Sequence, residues 1–378
     1  MSWPTAVGLL LGVLALCYSL VAWLAICLLR PGSRRGQPPS MDQPPVTVLK
    51  PLCGAEHDLL ECLRSFCRQD YPRFQIVFGV RDTADPAVGV VRTLQAEFPD
   101  LDLFIATNAR QCGSSRKVSN LINMMPLARH DYLVIADSDV RVAPDYLARV
   151  VPPLLDSQVG IVTCPYLGRP RPGLWSLIAS VFVNDWFMPS ARIAALFGSR
   201  AFAFGATIAI RRKVLMAIGG FAAIADQLAD DYRLGELTRR VGLRTVLSDV
   251  VVETCIAERT LSELIRHELR WLRTIRAVRP LGYTFAFVSF GVPVAVAGAV
   301  LARGSGLSLA MLGLTIAARL LLHRVAGRPR LQPTRQWVLP LSDFLAFALW
   351  CWGFVTSHVH WRDIRYRVAR DGSLHPIL

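Results

Sequence analysis

Long apolar stretches lie at the two ends of the chain. The first, residues 5–29, contains no charged side chain and is longer than the about 20 helical residues that cross a bilayer. Three more follow near the C-terminus, roughly at residues 281–301, 307–322 and 338–359. This pattern predicts an N-terminal membrane anchor over residues 1–30 and a C-terminal membrane region over residues 281–378, with two or three helices and a basic tail.

The centre of the chain alternates between two periodicities. Short apolar or β-branched runs predict strands at residues 46–50, 74–80, 101–106, 132–136 and 159–163. Segments of helical period separate them, at residues 56–67, 86–97, 117–125 and 145–155. This order predicts an α/β fold with a parallel-rich sheet over residues 46–260, whose ligands bind at the carboxyl ends of the strands. The Pro-rich residues 31–45 are expected to form a short, stiff linker.

An amphipathic stretch over residues 261–280 precedes the C-terminal membrane region. On a helix, its leucines, such as Leu264 and Leu272, fall on one side, and its arginines, such as Arg266 and Arg273, fall on another. Such a helix next to a membrane segment is typical of one that lies in the bilayer interface.

Composition narrows the class of protein. Of the 378 residues, 53% are hydrophobic and 19% are charged, and the formal net charge is +14. Soluble domains hold about 25% charged residues, so the composition excludes a disordered chain and disfavours an ordinary soluble enzyme. Most of the positive charge is arginine near the apolar stretches, which favours anionic lipid surfaces as a partner and disfavours nucleic acid.

The arginines also predict the orientation. Arg30, Arg34 and Arg35 follow the first apolar stretch, so the positive-inside rule puts the N-terminus outside and the central domain in the cytoplasm. A cleaved signal peptide is the alternative, but no basic residue precedes the apolar run. A full crossing by residues 338–359 would put Arg362 and Arg365 outside. That segment is therefore re-entrant or interfacial, or the rule fails there.

Carboxylates follow the ends of predicted strands. Asp82 follows the second strand, and Asp137 and Asp139 form a D-x-D directly after a later one. Such a pair at the tip of a buried strand can hold a hard divalent cation, with water and a diphosphate as the other ligands. A second D-x-D, Asp100 to Asp102, precedes a strand and is expected to be a surface turn.

Two further groups carry candidate chemistry. Asp230 and Asp231 open a helical stretch, where they either cap the helix or supply a general base for an acceptor hydroxyl. Lysine occurs only at Lys50, Lys117 and Lys213, whereas every other fixed cation is arginine. We expect Lys50 and Lys117 to bind substrate through a compact ammonium group, with chance retention as the alternative.

Several of these residues belong to ordered motifs. The motifs are Leu49-Lys50-Pro51-Leu52-x-Gly54, Asp70-Tyr71-Pro72, Gly79-Val80-x-Asp82-x-x-Asp85-Pro86-Ala87, Asp137-Ser138-Asp139, Ala229-Asp230-Asp231-Tyr232 and Arg270-Trp271. In this order they resemble the ceramide glucosyltransferase family, which comprises membrane-bound, inverting nucleotide-sugar transferases with the GT-A fold. Within it, residues 267–276 followed by Pro280-Leu281-Gly282-Tyr283 look most similar to the bacterial hopanoid branch.

The resemblance implies roles for the acidic residues. Asp82 would contact the uracil or ribose of a UDP-sugar, and Asp137 and Asp139 would hold Mg²⁺ or Mn²⁺ on its diphosphate. Asp231 would be the catalytic base, with Asp230 beside it as a substrate-binding residue.

The resemblance also implies a role for the helix that follows. Arg270 and Trp271 match the end of a Q/R-x-x-R-W motif, which in the family lies at the acceptor and diphosphate side of the site. Here His267 stands at the first position of that motif instead of Gln or Arg, and it would be a substrate-binding residue.

Together, these expectations describe a multi-pass enzyme of the bacterial inner membrane with a cytoplasmic catalytic domain. It would transfer a sugar from a UDP-sugar, UDP-N-acetylglucosamine, to the hydroxyl of a membrane lipid such as bacteriohopanetetrol. A ceramide glucosyltransferase that uses UDP-glucose is the first alternative. A processive polysaccharide synthase is the second alternative. It would be expected to have glutamine at the first position of the Q/R-x-x-R-W motif, where this chain has His267, and to have more membrane crossings. A non-enzymatic membrane adaptor would have no reason to place acids at successive strand ends.

Overall fold

The computed structural model describes residues 2–28, 43–56, 58–197, 203–326, 336–355, 358–361, 364–369 and 373–376. The strands are β1 (Val46–Pro51), β2 (Phe74–Val80), β3 (Asp102–Thr107), β4 (Tyr132–Ala136), β5 (Val140–Arg141), β6 (Val159–Thr163), β7 (Tyr166–Pro170), β8 (Thr207–Arg211), β9 (Arg244–Leu247), β10 (Val252–Ile256), β11 (His358–Trp361), β12 (Ile364–Val368) and β13 (Leu374–Pro376).

Helices surround these strands and extend beyond them at both ends of the chain. They are α1 (Trp3–Leu28), α2 (Leu59–Cys67), α3 (Ala87–Glu97), α4 (Arg116–Met124), α5 (Tyr146–Val150), α6 (Leu174–Val181), α7 (Met188–Leu196), α8 (Arg212–Ala217), α9 (Asp230–Arg240), α10 (Leu261–Val278), α11 (Pro280–Phe285), α12 (Gly291–Leu301), α13 (Gly306–Ala326) and α14 (Val338–Trp352). A π-helical turn, Phe182–Phe187, joins α6 to α7, and a 3₁₀ turn, Ala286–Ser289, follows α11.

A seven-stranded sheet with the order β3-β2-β1-β4-β8-β6-β9 forms the centre of the protein. The first four strands in this order are parallel, and β6 is parallel to β9. The predicted parallel-rich α/β fold is therefore confirmed. The pattern missed β8, which runs antiparallel between β4 and β6. All five residues of β8 are buried, but Thr207 and Arg211 stand at its ends, so its apolar run is only three residues long and too short to indicate a buried strand.

A close helix-to-strand contact holds α4 against β2. The side chain of Asn120 donates a 2.8 Å hydrogen bond to the carbonyl of Gly79, and a Cβ at Gly79 would overlap the Asn120 side chain. The absence of a side chain at Gly79 thus lets α4 approach the sheet. As a result, the first turn of α4, which contains Lys117, lies beside the carboxyl ends of β1 and β2.

A second, three-stranded sheet with the order β5-β10-β7 extends the fold toward α10. Strand β10 pairs with β5 just after the D-x-D and with β7 on its other side. The chain leaves β10 and enters α10 after a short connection, where the Thr260 hydroxyl caps the helix by accepting from the Glu263 N–H. The D-x-D and the Arg-Trp pair of α10 are thereby tied to one small sheet.

The membrane prediction needs two corrections. Within the described residues, α1 and α13 are long and apolar enough to cross a bilayer, and α11 with its 3₁₀ turn forms a pair with α12 that is bent by 72°. The predicted segment 281–301 is therefore not one straight helix. The segment predicted at 338–359 is helical only as far as Trp352, 15 residues, and then leads into β11. This helix is shorter than the about 20 residues that a crossing needs.

Small residues bring α1 against α12. A Cβ at Gly8 would lie 2.5 Å from the carbonyl oxygen of Gly298, and a Cβ at Gly298 would lie 2.6 Å from the carbonyl oxygen of Gly8. Reciprocal contacts of this kind are typical of helices that associate in a bilayer. Arg30, Arg34, Arg35 and Arg362, which carry the predicted orientation, and most of the predicted linker lie outside the described residues. The division of the chain at residues 30, 45, 260 and 280 stays a prediction.

Candidate active site

A cavity of about 1130 Å³ lies at the carboxyl ends of β1, β2 and β4 and extends to the helix α1. Every site residue predicted from the sequence lines it except Lys50. The lining members of that set are Asp82, Lys117, Asp137, Asp139, Asp230, Asp231, His267, Arg270 and Trp271. The cavity has three parts: an outer end at Asp82, a central cluster of carboxylates, and an inner end at Tyr18 of α1.

Lys117 links the end of β4 to the start of α9. Its Nζ lies 2.7 Å from Oδ1 of Asp137 and 3.3 Å from Oδ2 of Asp230. Burial alone would lower the pKa of Lys117, but the charges of Asp137 and Asp230 outweigh it, so the pKa is raised. The ammonium group therefore stays charged and holds the two carboxylates together.

Lys50 lies behind the site and not in its wall. Its side chain is fully buried, its Nζ donates a 2.5 Å hydrogen bond to the carbonyl of Asp137, and it lies 4.0 Å from the centroid of the Phe66 ring. Burial lowers the pKa of Lys50 to about 8. The expectation that Lys50 contacts the substrate is not supported by this position. Its ammonium group supports the main chain of the D-x-D.

The D-x-D residues are held from two sides. The Asp137 N–H donates to the carbonyl of Ala206 at 3.2 Å, and burial raises the pKa of the Asp137 carboxyl against the opposing effect of Lys117. Oδ2 of Asp139 accepts a 2.6 Å hydrogen bond from the hydroxyl of Thr254 on β10. The second D-x-D behaves as expected: Asp102 starts β3 outside the cavity and pairs with Arg129 at 2.9 Å.

The donor set at this D-x-D suits a hard divalent cation. Lys117 engages Oδ1 of Asp137 and Thr254 engages Oδ2 of Asp139, so the other oxygen of each carboxylate is the one that would bind a cation. No group of three or more acidic, histidine or cysteine side chains in the described part of the chain forms a complete metal site. A cation held here would take its other ligands from a diphosphate and from water, as Mg²⁺ commonly does.

Asp231 is the candidate base. It occupies the first turn of α9, where its Oδ1 accepts a 2.7 Å hydrogen bond from the Tyr232 N–H. Burial raises the pKa of Asp231 to about 7, with a further contribution from Asp230 and an opposing one from Lys117. A carboxyl group with such a pKa can exchange a proton at neutral pH. Gly205 approaches it closely, since a Cβ there would lie 2.9 Å from Oδ2 of Asp231.

Asp230 and Asp231 differ in whether they cap helix α9. The residue before the helix is Ala229, and no side chain caps it. Asp230 uses its Oδ2 to pair with Lys117, so it does not act as a cap. Asp231 does accept a hydrogen bond from the first turn, and it also faces the cavity.

Three residues of α10 line the opposite wall. Burial lowers the pKa of Arg270, and no carboxylate of the described residues lies within 4.0 Å of its guanidinium group. Trp271 packs edge-on against Tyr166, with ring centroids 6.1 Å apart. His267 forms a short ion pair with Glu258, which raises the pKa of His267 against the effect of burial. Arg270 is thus a half-buried cation that lines the cavity, in position to meet an anionic ligand.

Asp82 marks the outer end of the cavity. Its side chain is exposed, and its Oδ1 accepts a 2.9 Å hydrogen bond from the Ala84 N–H in a tight turn. At the other end the cavity reaches Tyr18 of α1 and Trp186 of the π turn. The site therefore extends from a polar, solvent-facing end to the membrane helices.

Sequence reasoning missed several residues of the cavity wall. The clearest cases are Arg81, Arg116, Tyr166, Phe187 and Glu258. Arg81 could have been found, because it directly precedes Asp82 at the same strand end. Arg116 could have been found in the same way, because it directly precedes Lys117. Tyr166, Phe187 and Glu258 reach the cavity only through the packing of distant elements, for which no local pattern exists.

The chain is similar in sequence to known proteins. The family described as glycosyl transferase family 21 matches residues 7–374. Ceramide glucosyltransferase 1 of Caenorhabditis elegans is 22% identical over 244 residues, which are 64% of this chain and 52% of that protein. Ceramide glucosyltransferase of Komagataella phaffii is 34% identical over 110 residues, 28% of this chain and 22% of that protein. The chain thus spans about half the length, or less, of these relatives.

A solved structure has the same fold. It is a mannosyltransferase from Pyrobaculum calidifontis in complex with GDP-Man and Mn²⁺, with a TM-score of 0.53, 23% sequence identity and coverage of 90% of this chain and 98% of that one. The GT-A fold that the motifs implied is confirmed. Because the family match extends over almost the whole chain, this protein belongs to glycosyl transferase family 21.

Proposed function

We propose that the protein is an inverting, membrane-bound glycosyltransferase that moves a sugar from UDP-N-acetylglucosamine to the hydroxyl of a hopanoid lipid. The observation that carries this proposal is the position of Asp231. This carboxyl group, whose pKa is raised to about 7, lies in one cavity with a D-x-D and the half-buried Arg270. That cavity also reaches a membrane helix, as transfer to a lipid requires.

The outer end of the cavity suits a nucleoside diphosphate sugar. In the proposed complex, Asp82 contacts the nucleoside, while Arg270 and Lys117 face the diphosphate. Asp137 and Asp139 would hold Mg²⁺ or Mn²⁺, which would offset the negative charge that develops on the departing diphosphate. The Pyrobaculum calidifontis protein, which shares the fold, was solved with a nucleotide sugar and Mn²⁺.

The reaction proposed for this site is a single displacement. Asp231 accepts the proton of the acceptor hydroxyl as its oxygen attacks the anomeric carbon from the face opposite the diphosphate. The guanidinium group of Arg270 stabilises the charge on the leaving UDP. One displacement converts an α-linked donor into a β-glycoside, and it needs no carboxylate nucleophile because UDP is already a good leaving group.

The acceptor proposal rests on the sequence of α10 and α11. Residues 267–276 and the following Pro280-Leu281-Gly282-Tyr283 resemble the hopanoid branch. A second candidate is transfer of glucose from UDP-glucose to ceramide, which the names of the matched relatives favour. The proposed location is the bacterial inner membrane, with the catalytic domain on the cytoplasmic side. The apolar helices α1 and α13 support a membrane protein.

A matrix of donors and acceptors tests the function. Membranes that contain the protein are incubated with UDP-N-acetylglucosamine or UDP-glucose, each with bacteriohopanetetrol or ceramide, and the lipids are analysed by mass spectrometry. We expect N-acetylglucosaminyl hopanoid as the product and its loss after chelation of divalent cations. Glucosylceramide as the main product would support the second candidate, and no glycolipid from any pair would contradict both.

Replacing the candidate base tests its role. Asp231→Asn keeps the size of the side chain but cannot accept the proton, so we expect transfer to fall about 10²–10⁴-fold with UDP affinity unchanged. The measurements are steady-state transfer and UDP titration on purified protein. Asp156→Asn is the control, because Asp156 pairs with Arg244 at the exposed surface. Substantial turnover by Asp231→Asn would contradict the assignment.

The raised pKa of Asp231 predicts the pH profile. Below about pH 7 the carboxyl becomes protonated and cannot accept a proton, so kcat/KM should fall as the pH decreases. Asp230, Lys117 and Asp137 are the charged groups that act on it. Asp230→Asn removes a neighbouring negative charge, which should lower the pKa of Asp231 and move this limb to lower pH.

The same experiment distinguishes Asp231 from another base. Burial also raises the pKa of Glu268 on α10 to about 7. If the acidic limb of the pH profile reports Glu268, Asp230→Asn should leave that limb in place, because Asp230 is not among the groups that shift the pKa of Glu268. A limb that stays in place would therefore rule against Asp231 as the group that titrates.

A further inference from the structure

Three consecutive residues of the π turn Phe182–Phe187 reach three different parts of the protein. The Asn184 side chain exchanges two hydrogen bonds with the main chain of Gly168 on β7, at 2.8 and 2.9 Å. The Asp185 carboxylate faces helix α13. The Trp186 indole lines the cavity and donates a 2.7 Å hydrogen bond to the Ser289 hydroxyl. The turn thus joins the small sheet, the membrane helices and the cavity.

The contact with the membrane helices is ionic and buried. Oδ2 of Asp185 accepts from Nη1 of Arg319 at 2.7 Å and lies 2.6 Å from Nδ1 of His323. Arg319 also forms a bidentate pair with Asp343 on α14 at 2.8 to 3.1 Å. The Asp185 side chain is only 1% exposed. Charged groups between apolar helices are costly unless paired, so this network defines one arrangement of the turn and both helices.

The residues that follow Asp185 form the wall between the candidate base and the membrane. The Phe187 ring packs against Tyr166, Phe204 and Trp271, with centroids 4.8, 5.2 and 5.5 Å away. The Trp186 ring stacks on Phe290 at 5.5 Å. On the membrane side, Ser190 accepts or donates a 2.9 Å hydrogen bond with Tyr18 of α1. Contacts of residues 186–190 therefore connect Trp271 of α10 to helix α1.

A π turn contains one residue more than an α-helical turn and is often found at functional sites. Here the polar Asn184 and Asp185 do not line the cavity, whereas the next two residues, Trp186 and Phe187, do. The mechanism proposed above uses neither Asn184 nor Asp185, although both are buried and fully engaged. Their placement needs another reason.

We propose that the π turn positions the apolar part of the lipid acceptor. Asp185, held by Arg319 and His323, fixes Trp186 and Phe187 as the surface on which that apolar body lies, so that its hydroxyl meets Asp231. Asp185 is then a positioning residue and Trp186 a specificity-determining residue. The inference rests on the proposed transfer to a lipid, and it adds the site of the lipid's apolar part.

Asp185→Asn tests this role, with Asp343→Asn as the matched control. Both changes remove one carboxylate from the same network, but Asp343→Asn leaves the two contacts of Asp185 in place. For Asp185→Asn we expect KM for the lipid acceptor to rise about fivefold or more, with kcat and the Kd for UDP changed by less than about twofold. For Asp343→Asn we expect the acceptor KM to stay within about twofold of the original value.

A general loss of stability would give a different result. If the two variants raise the acceptor KM equally, or if kcat and UDP affinity fall together with the thermal unfolding midpoint, the π turn has only a structural role and the inference is wrong. Failure of the proposed function is separate, because the unaltered protein would then bind no UDP or glycosylate no lipid.

Trp186→Phe provides the second variant if Asp185→Asn does not fold. It keeps an aromatic ring but removes the indole N–H, which donates a hydrogen bond to the Ser289 hydroxyl. We expect a higher acceptor KM, and a changed ratio of KM between a hopanoid and a ceramide acceptor, with UDP affinity preserved. An unchanged acceptor KM and an unchanged ratio would overturn the inference.

Discussion

The site depends on the ion pairs that the ammonium group of Lys117 forms with two carboxylates. This group lies between Asp137 and Asp230, which belong to the end of β4 and the start of α9. Without it, several carboxylates of like charge would share one half-buried cavity, and each would be harder to ionise. With it, Asp137 can face a cation while Asp231 keeps a pKa near neutrality. The contact of Asn120 with Gly79 fixes α4 and so sets the position of this charge.

The cavity is built between a rigid sheet and a membrane bundle. From the sheet side, Lys50 holds the main chain of Asp137, and Thr254 on β10 holds the carboxylate of Asp139. From the membrane side, the π turn fixes Trp186 and Phe187. The acidic centre is thereby fixed relative to both a solvent-facing polar end and an apolar end, and the proposed transfer from a water-soluble donor to a lipid acceptor would use both.

Local pattern predicted the parts of the site that belong to single elements. Strands β2, β4 and β6 begin and end where the apolar runs do, so Asp82 and the D-x-D could be assigned to strand ends. Strand β8 was missed because its apolar run between Thr207 and Arg211 is only three residues long. Lys50 looked like a ligand because sequence does not reveal the depth of a side chain. The ion pair of Asp185 with Arg319 joins residues 134 positions apart, so only the fold brings them together.

The proposed site is tested most directly by the position of Mn²⁺ in crystals of the protein grown with UDP, measured by anomalous scattering at the manganese edge. We expect one peak between the carboxylates of Asp137 and Asp139, with the diphosphate of UDP beside Arg270 and Lys117. A manganese peak elsewhere, or UDP bound outside the cavity that contains Asp231, would contradict it.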